Sequence, residues 1–409
     1  MLSKLTNTIR SFGPGLLFAG AAIGVSHLVQ STRAGAEFGF GLIWALLLVN
    51  LFKYPFFRFG ASYASATGES LVEGYYKLGK GVLIFYFILT FLTMFTIQAA
   101  VTIVTAGLAS NLFGLSINIT LWSVIITVIS LLILLIGKYK LLDNLMKIII
   151  LVLTISSITA VIIAISKTKT EINFTQILPQ GSVEISFLIA FLGWMPAPLD
   201  VSVWQSLWTI EKKKEDVIDF DSKKTLFDFN IGYITTIFLG ICFVTLGTLV
   251  MFNSGETFSN SAGKFAQQLI ELYTNNLGSG TSIFIAIAAF TTMFSTTITT
   301  LDASPRAMAK TSELLAHKNY NRMYVFWIFL LAAGTIIILS FFVTNMKTMV
   351  KIATILSFLT APFYAIANFK LITSKHIPKK FKPSKGLKIL SLLGIIFLLV
   401  FSIWYIFSI

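Results

Sequence analysis

Charge is what this sequence has least of. Asp, Glu, Lys and Arg make up 12% of its 409 residues, about half the ~25% of soluble globular domains. Acidic residues are the scarcer sign, 17 against 31 basic. Cysteine occurs once, as Cys242 inside an apolar run, where it forms no disulfide framework and reads as core filler. No nucleotide-binding loop, metalloprotease pair or nucleophile triad stands on a suitable element, so an enzyme is not expected. No separate soluble or signalling domain is evident.

Hydrophobic residues fill the space that charge leaves: 56% of the chain, 14% of it aromatic, with a mean hydropathy of +0.85. They fall in runs about as long as a bilayer core needs, ~20 residues each. Such a chain is an all-α integral membrane protein. We read eleven spans, at 13–32, 40–63, 82–112, 119–136, 145–165, 185–208, 229–252, 282–301, 323–343, 350–371 and 387–406. The first is too long and glycine-rich for a signal peptide and has no cleavage site after it. The third is over-long and must tilt or reach into water.

The formal charge of +14 could point to nucleic acid, but the basic residues sit in short loops between spans and report topology instead. With the N-terminus in the cytoplasm, inner segments hold 23 of the 31 Lys and Arg and outer segments six, with Lys53 and Arg58 inside the second span. That asymmetry places the C-terminus outside, in a plasma (inner) membrane. The basic run from Lys375 to Lys385 lies against the inner leaflet and would attract anionic lipid. The longest connectors, 167–184, 211–228 and 253–281, are links or gates.

Two spans carry the marks of broken helices. The first reads Gly20-Ala21-Ala22-Ile23-Gly24-Val25-Ser26-His27. Glycines four apart suit either close helix packing or an unwound stretch from Gly24 to His27, since glycine permits non-helical angles. A mid-membrane histidine is either functional or a hydrogen-bonded structural residue. The sixth reads Gly193-Trp194-Met195-Pro196-Ala197-Pro198-Leu199-Asp200. Its two prolines remove two backbone donors and clash with the preceding turn, which breaks the helix. Asp200 then either anchors freed amides or binds a cation or proton. Breaks in spans one and six, five apart, imply two inverted five-span repeats (13–165 and 185–371) with an extra helix (387–406). Breaks at matching positions of inverted halves point to a transporter site.

Several segments are similar to the Nramp family of divalent-metal transporters: Gly13-Pro14-Gly15, the stretch Arg33-Ala34-Gly35-Ala36-Glu37-Phe38-Gly39, the Met195-Pro196 break, Ser295-Thr296-Thr297-Ile298-Thr299, and Pro362-Phe363. The resemblance covers spans one to ten and implies the LeuT-type fold, a 5+5 inverted repeat with helices 1 and 6 broken. Its departures concern the site. The family's Asp-Pro-Gly-Asn falls on Gly24, Val25, Ser26 and His27, so the metal-binding Asp and Asn are absent. The family methionine is kept as Met195, but its histidines fall on Ala197 and Ser202. The proton-path acid falls near Gln98 or Ala99, and a glutamine falls on Thr360. Family-style proton coupling is therefore not expected.

The expected substrate site is Gly24, Val25, Ser26 and His27 with Trp194, Met195 and Ala197. Gln98, Asp200 and Thr360 stand behind it. Ser26, His27 and Met195 are the candidate metal ligands; His with Met would suit a softer transition metal. A largely hydrated ion held by hydroxyls and carbonyls is the alternative, as magnesium keeps its waters. Asp302 and Arg306, four apart on one helix face, form an ion pair or an inner gate. The expected cargo is a divalent metal cation moved by alternating access. A small organic solute such as an amino acid is the second reading, because Gly20-Ala21-Ala22-Ile23-Gly24 also looks like the first broken helix of amino-acid transporters of this fold. A ligand sensor that transports nothing is the third. No cofactor is implied, and the oligomeric state is not written in the sequence.

Overall fold

Proline in a first turn, where no N–H is needed, opens the first helix, α1 (Pro14–Ala22). A π-helical turn (Ser26–Ser31) leads into α2 (Thr32–Phe38), and a 3-10 turn (Gly39–Leu42) into α3 (Ile43–Thr67). There follow α4 (Leu71–Leu78), α5 (Lys80–Phe113), α6 (Ile119–Ile136) and α7 (Tyr139–Lys167). The second half holds α8 (Ser182–Trp194), α9 (Val201–Glu215), α10 (Ser222–Met251), α11 (Ala262–Leu277), α12 (Ser282–Ala316), α13 (Tyr320–Phe341) and α14 (Met346–Thr373). The last helix is α15 (Lys385–Ser408). This computed structural model describes residues 13–114, 118–136, 139–167, 173–215, 222–252, 258–278, 282–342 and 345–408. Lys4, Arg10, Lys138 and Lys169 of the topology argument, the end of the ninth expected span at Val343, and parts of the three long connectors lie outside these residues. No strand occurs among the described residues.

Nine helical stretches among the described residues are long and apolar enough to cross a bilayer. The two expected spans missing from that set, 13–32 and 185–208, are those whose helices are interrupted. Large apolar side chains are exposed on the outward faces, among them Leu92, Ile136, Leu151, Phe284 and Phe407. Water would penalise that arrangement, while lipid tails accept it.

Helix pairing repeats between the halves. Helix α1 packs on α10 and α7; correspondingly, α9 packs on α3, and α8 on α14. A short amphipathic helix follows the second span of each half. These are α4 and α11, and each lies against both α5 and α12. Local sequence sets such elements: Ser70 and Glu73 form a reciprocal capping box at the start of α4, which satisfies two otherwise orphaned amides. Helix α15 lies outside this arrangement against α3, α8 and α14.

The α1–α10 contact is backbone to backbone. A Cβ on Gly15 would fall 2.2 Å from the Asp228 carbonyl, and one on Gly232 would fall 2.1 Å from the Gly15 carbonyl. Here glycine lets two helices approach where any side chain would separate them. The Asp228 carboxylate accepts hydrogen bonds from the amides of Gly13 (3.2 Å) and Gly15 (2.8 Å), a favourable charge at the amino end of α1.

Candidate functional site between two interrupted helices

The first interruption is short. Helix α1 closes with the Ile23 amide on the Ala19 carbonyl (2.7 Å), and Ile23 then leaves helical geometry at φ −81°, ψ 80°. Winding resumes at Val25 and passes into the π turn at Ser26. The non-helical step is thus at Ile23 and Gly24, with Val25 already helical (φ −56°, ψ −36°), a little earlier than the expected Gly24 to His27. Ser26 and His27 instead belong to the wide turn. Gly24 serves both of its expected roles: it sits at the step, and a Cβ there would lie 2.9 Å from the Thr296 side chain of α12.

The loose carbonyls at this step are sealed from within. Ala22 O accepts from the Ser26 hydroxyl and lies 3.1 Å from His27 Nδ1. Gly20 O accepts from Thr296 Oγ1 at 3.2 Å. His27 Nδ1 is also 2.7 Å from Ser26 Oγ, and Nε2 donates to Thr236 O of α10 at 2.9 Å. The ring is wholly buried. His27 therefore ties the interrupted helix to α10, as the structural reading of a membrane histidine anticipates. It could take a metal only by giving up one of these partners.

The second interruption spans Met195 to Asp200. Met195 is extended (φ −86°, ψ 122°). Pro196 has no N–H for Leu192 O, the partner four residues earlier in an unbroken helix. The replacement donor comes from α3: Lys53 Nζ lies 2.7 Å from Leu192 O, 2.7 Å from Gly193 O and 3.2 Å from Ala197 O. Lys53 has no exposure at all.

The two interruptions meet at a cavity of about 20 Å³, room for roughly one water. Ala22, Val25 and Ser26 border it from the first, and Trp194, Pro198 and Val201 from the second. Trp204 of α9, and Thr296 and Thr300 of α12, complete its polar and aromatic parts. Trp194 is fixed by its Nε1–H, which donates to Ser357 Oγ at 2.8 Å. Trp204 Nε1 has no partner. The cavity wall carries three hydroxyls and no carboxylate, and no group of three His, Cys, Asp or Glu able to hold a metal occurs among the described residues.

Of the residues expected at the site, Val25, Ser26 and Trp194 line this cavity. Met195 and His27 lie together on another side, both against Gly240 of α10. Ala197 contributes its carbonyl to Lys53. Gln98 sits one layer back: its Oε1 accepts from Thr300 Oγ1 (2.6 Å) and its Nε2 donates to Thr297 O (3.2 Å). Asp200 is 4% exposed and its Oδ1 has no hydrogen-bond partner. Thr360 bonds carbonyls of its own helix. Asp302 and Arg306 form a 2.6 Å ion pair, and Tyr324 donates to the other Asp302 oxygen at 2.6 Å. Arg33 and Glu37 pair at 2.7 Å. Sequence reasoning missed Lys53, Thr300 and Trp204. For Lys53 the signal was present, as a full charge inside an apolar span.

Two interrupted helices crossing at a buried pocket within a bundle of apolar helices define a membrane transporter of the inverted-repeat type. The chain belongs to the Natural resistance-associated macrophage protein-like (Nramp) family, whose model matches residues 15–408. It is 36% identical over 403 residues to an uncharacterized protein of Pasteurella multocida, covering 97% of this chain and 92% of that protein. In fold it is similar to a mutant of the Eremococcus coleocola manganese transporter, with a TM-score of 0.74, 16% identity, and coverage of 97% of this chain and 86% of the other. It also resembles Mhp1, a nucleobase-cation-symport-1 family transporter in a closed conformation with bromovinylhydantoin bound, with a TM-score of 0.62, 14% identity, and coverage of 97% and 92%. The all-α LeuT-type fold that the resemblance implies is the fold of this chain.

Proposed function

We propose that this protein carries a divalent metal cation across the plasma membrane by alternating access, taking the ion with much of its water shell, and without the proton coupling of its family. Eleven crossings would place the N-terminus in the cytoplasm and the C-terminus outside, with repeats at 13–165 and 185–371 and an appended helix at 387–406. The observation that carries the reading is the cavity where the two interruptions meet, walled by the Ser26, Thr296 and Thr300 hydroxyls and lacking any carboxylate. A bare divalent ion placed there would lose its hydration with no opposite charge to compensate. Magnesium-like ions that keep several waters need hydroxyls and carbonyls to accept those waters' hydrogen bonds instead. At about 20 Å³ the cavity has room for only about one water, so loading a partly hydrated ion requires the helices bordering it to part.

Uptake into liposomes tests this. Ser26→Ala and Thr300→Val should each raise the magnesium or manganese concentration that half-saturates uptake, by about fivefold if each removes roughly 1 kcal/mol of hydrogen bonding. His27→Ala and Met195→Ala should do the same only if those side chains exchange their present contacts for the ion. Uptake unaffected by any of the four variants would remove the cavity from the transport path.

A second reading has its own observation. The cavity wall is mostly apolar and includes two tryptophans, Trp194 and Trp204, which suits a small organic solute such as an amino acid. Calorimetry with manganese, magnesium and a panel of amino acids separates the two. Saturable amino-acid binding with no metal heat would replace the metal reading.

A further inference from the structure

A lysine side chain with no exposure, inside an apolar helix, is among the costliest residues a membrane protein can hold. Lys53 is that residue here. Its ammonium makes no ion pair within 4 Å among the described residues and instead meets three backbone carbonyls of the second interruption, Leu192, Gly193 and Ala197. An ammonium has three N–H donors, and three acceptors surround it. Asp200, at the far end of the same interruption, is buried with one carboxylate oxygen lacking a partner and lies within electrostatic range of Lys53.

Convergent carbonyls at a helix end, backed by a buried carboxylate, are the usual setting for a bound cation in a transporter of broken helices. We propose that the Lys53 ammonium is a resident cation of this interruption. It joins the carboxyl end of α8 to the unwound segment, is balanced by Asp200, and does permanently what a diffusible monovalent cation would do on loan. The position is consequently closed to sodium, potassium and protons supplied as coupling ions from outside. It is also closed to the cargo, which leaves only the neutral cavity beside Ser26 and Trp194. Lys53 acts here as a positioning residue, and the inference holds whichever cargo the cavity takes.

If the tether is a cation in a cation site, removing the side chain leaves a hole that a small amine can refill. Lys53→Ala should lower the thermal midpoint of the detergent-purified protein. Millimolar ammonium or methylammonium should restore it, whereas choline, which is too large and has no N–H donors, should not. The wild type should respond to none of the three. A Lys53→Ala midpoint equal to wild type, or one indifferent to methylammonium, overturns the proposal. Should Lys53→Ala not fold, the charge balance decides. Lys53→Met with Asp200→Asn, which neutralises both groups, should give more folded protein than Lys53→Met alone. Equal yields of the single and double variants would overturn the inference.

Discussion

The two interruptions are made from different residues and closed in different ways. The first is a glycine step. Its loose carbonyls are covered by neutral donors, from Ser26 one turn on and from Thr296 on α12. The second is a proline break, and its carbonyls are covered by a full charge from α3, Lys53. Glycine keeps its amide, so the chain can rewind almost at once, and a hydroxyl within reach suffices. Proline deletes the donor itself, the gap is longer, and no nearby side chain fills it. The first interruption is thus a soft joint and the second a pinned one.

Removing the pin should have the largest effect. Lys53→Met keeps the volume and deletes the charge, leaving three carbonyls and Asp200 uncompensated in the core. Breaking a buried charge arrangement from one side costs about 3–5 kcal/mol. Thermal unfolding of the purified variant should show this as a larger loss than Gly24→Ala, His27→Gln or Thr296→Val. A loss below that of the first-break variants would reverse the comparison.

The next effect probes the glycine of the soft joint. Gly24→Ala places a Cβ 2.9 Å from the Thr296 side chain, and overpacking of this kind costs about 1–3 kcal/mol. Because the obstructing atoms belong to a side chain, Thr296→Ala in the same protein should recover part of the loss. Lack of recovery would mean that the loss does not come from the clash with Thr296.

His27→Gln comes third. Glutamine can still reach one of the groups that the ring bridges, so only the bond to Thr236 O or the contact with Ala22 O is lost. A net hydrogen bond is worth about 1 kcal/mol. Two outcomes separate a tie from a ligand. A tie lowers the thermal midpoint equally with and without manganese; a ligand also abolishes any manganese-dependent rise in the wild type.

The same contrast explains what was legible in the sequence. The break at Pro196 and Pro198 could be read directly, because proline's missing donor is a property of the residue alone. The glycine step could be placed only approximately. Glycine permits unwinding but does not dictate where it starts, and the step fell at Ile23 and Gly24 with Ser26 and His27 in a π turn. Most span positions followed from run length, the inverted repeat from the two breaks, and the LeuT-type fold from the resemblance to Nramp that a few motifs carry. The grouping of side chains around the breaks did not. Lys53 stands 139 positions before Leu192, and Thr296 stands 276 after Gly20. No local pattern records either pairing. The departures at Gly24, Val25, Ser26 and His27 showed that the metal-binding carboxylate was absent, but not that the chain would use these positions to seal its own backbone.

The smallest effect is the sharpest test of neutral closure. In an unbroken helix Gly20 O would accept from the amide of Gly24, but that amide turns to Ala22 O at 3.0 Å. Thr296 Oγ1 takes its place for Gly20 and shares its proton with Thr292 O at 3.1 Å. Thr296→Val preserves shape and β-branching while removing the hydroxyl. Hydrogen bonds between membrane helices average about 0.6 kcal/mol, so the thermal midpoint should fall only slightly, far less than for Lys53→Met. A loss as large as that of the lysine variant would show that the glycine step depends on its single outside donor as heavily as the proline break does, and the distinction between a soft joint and a pinned one would vanish.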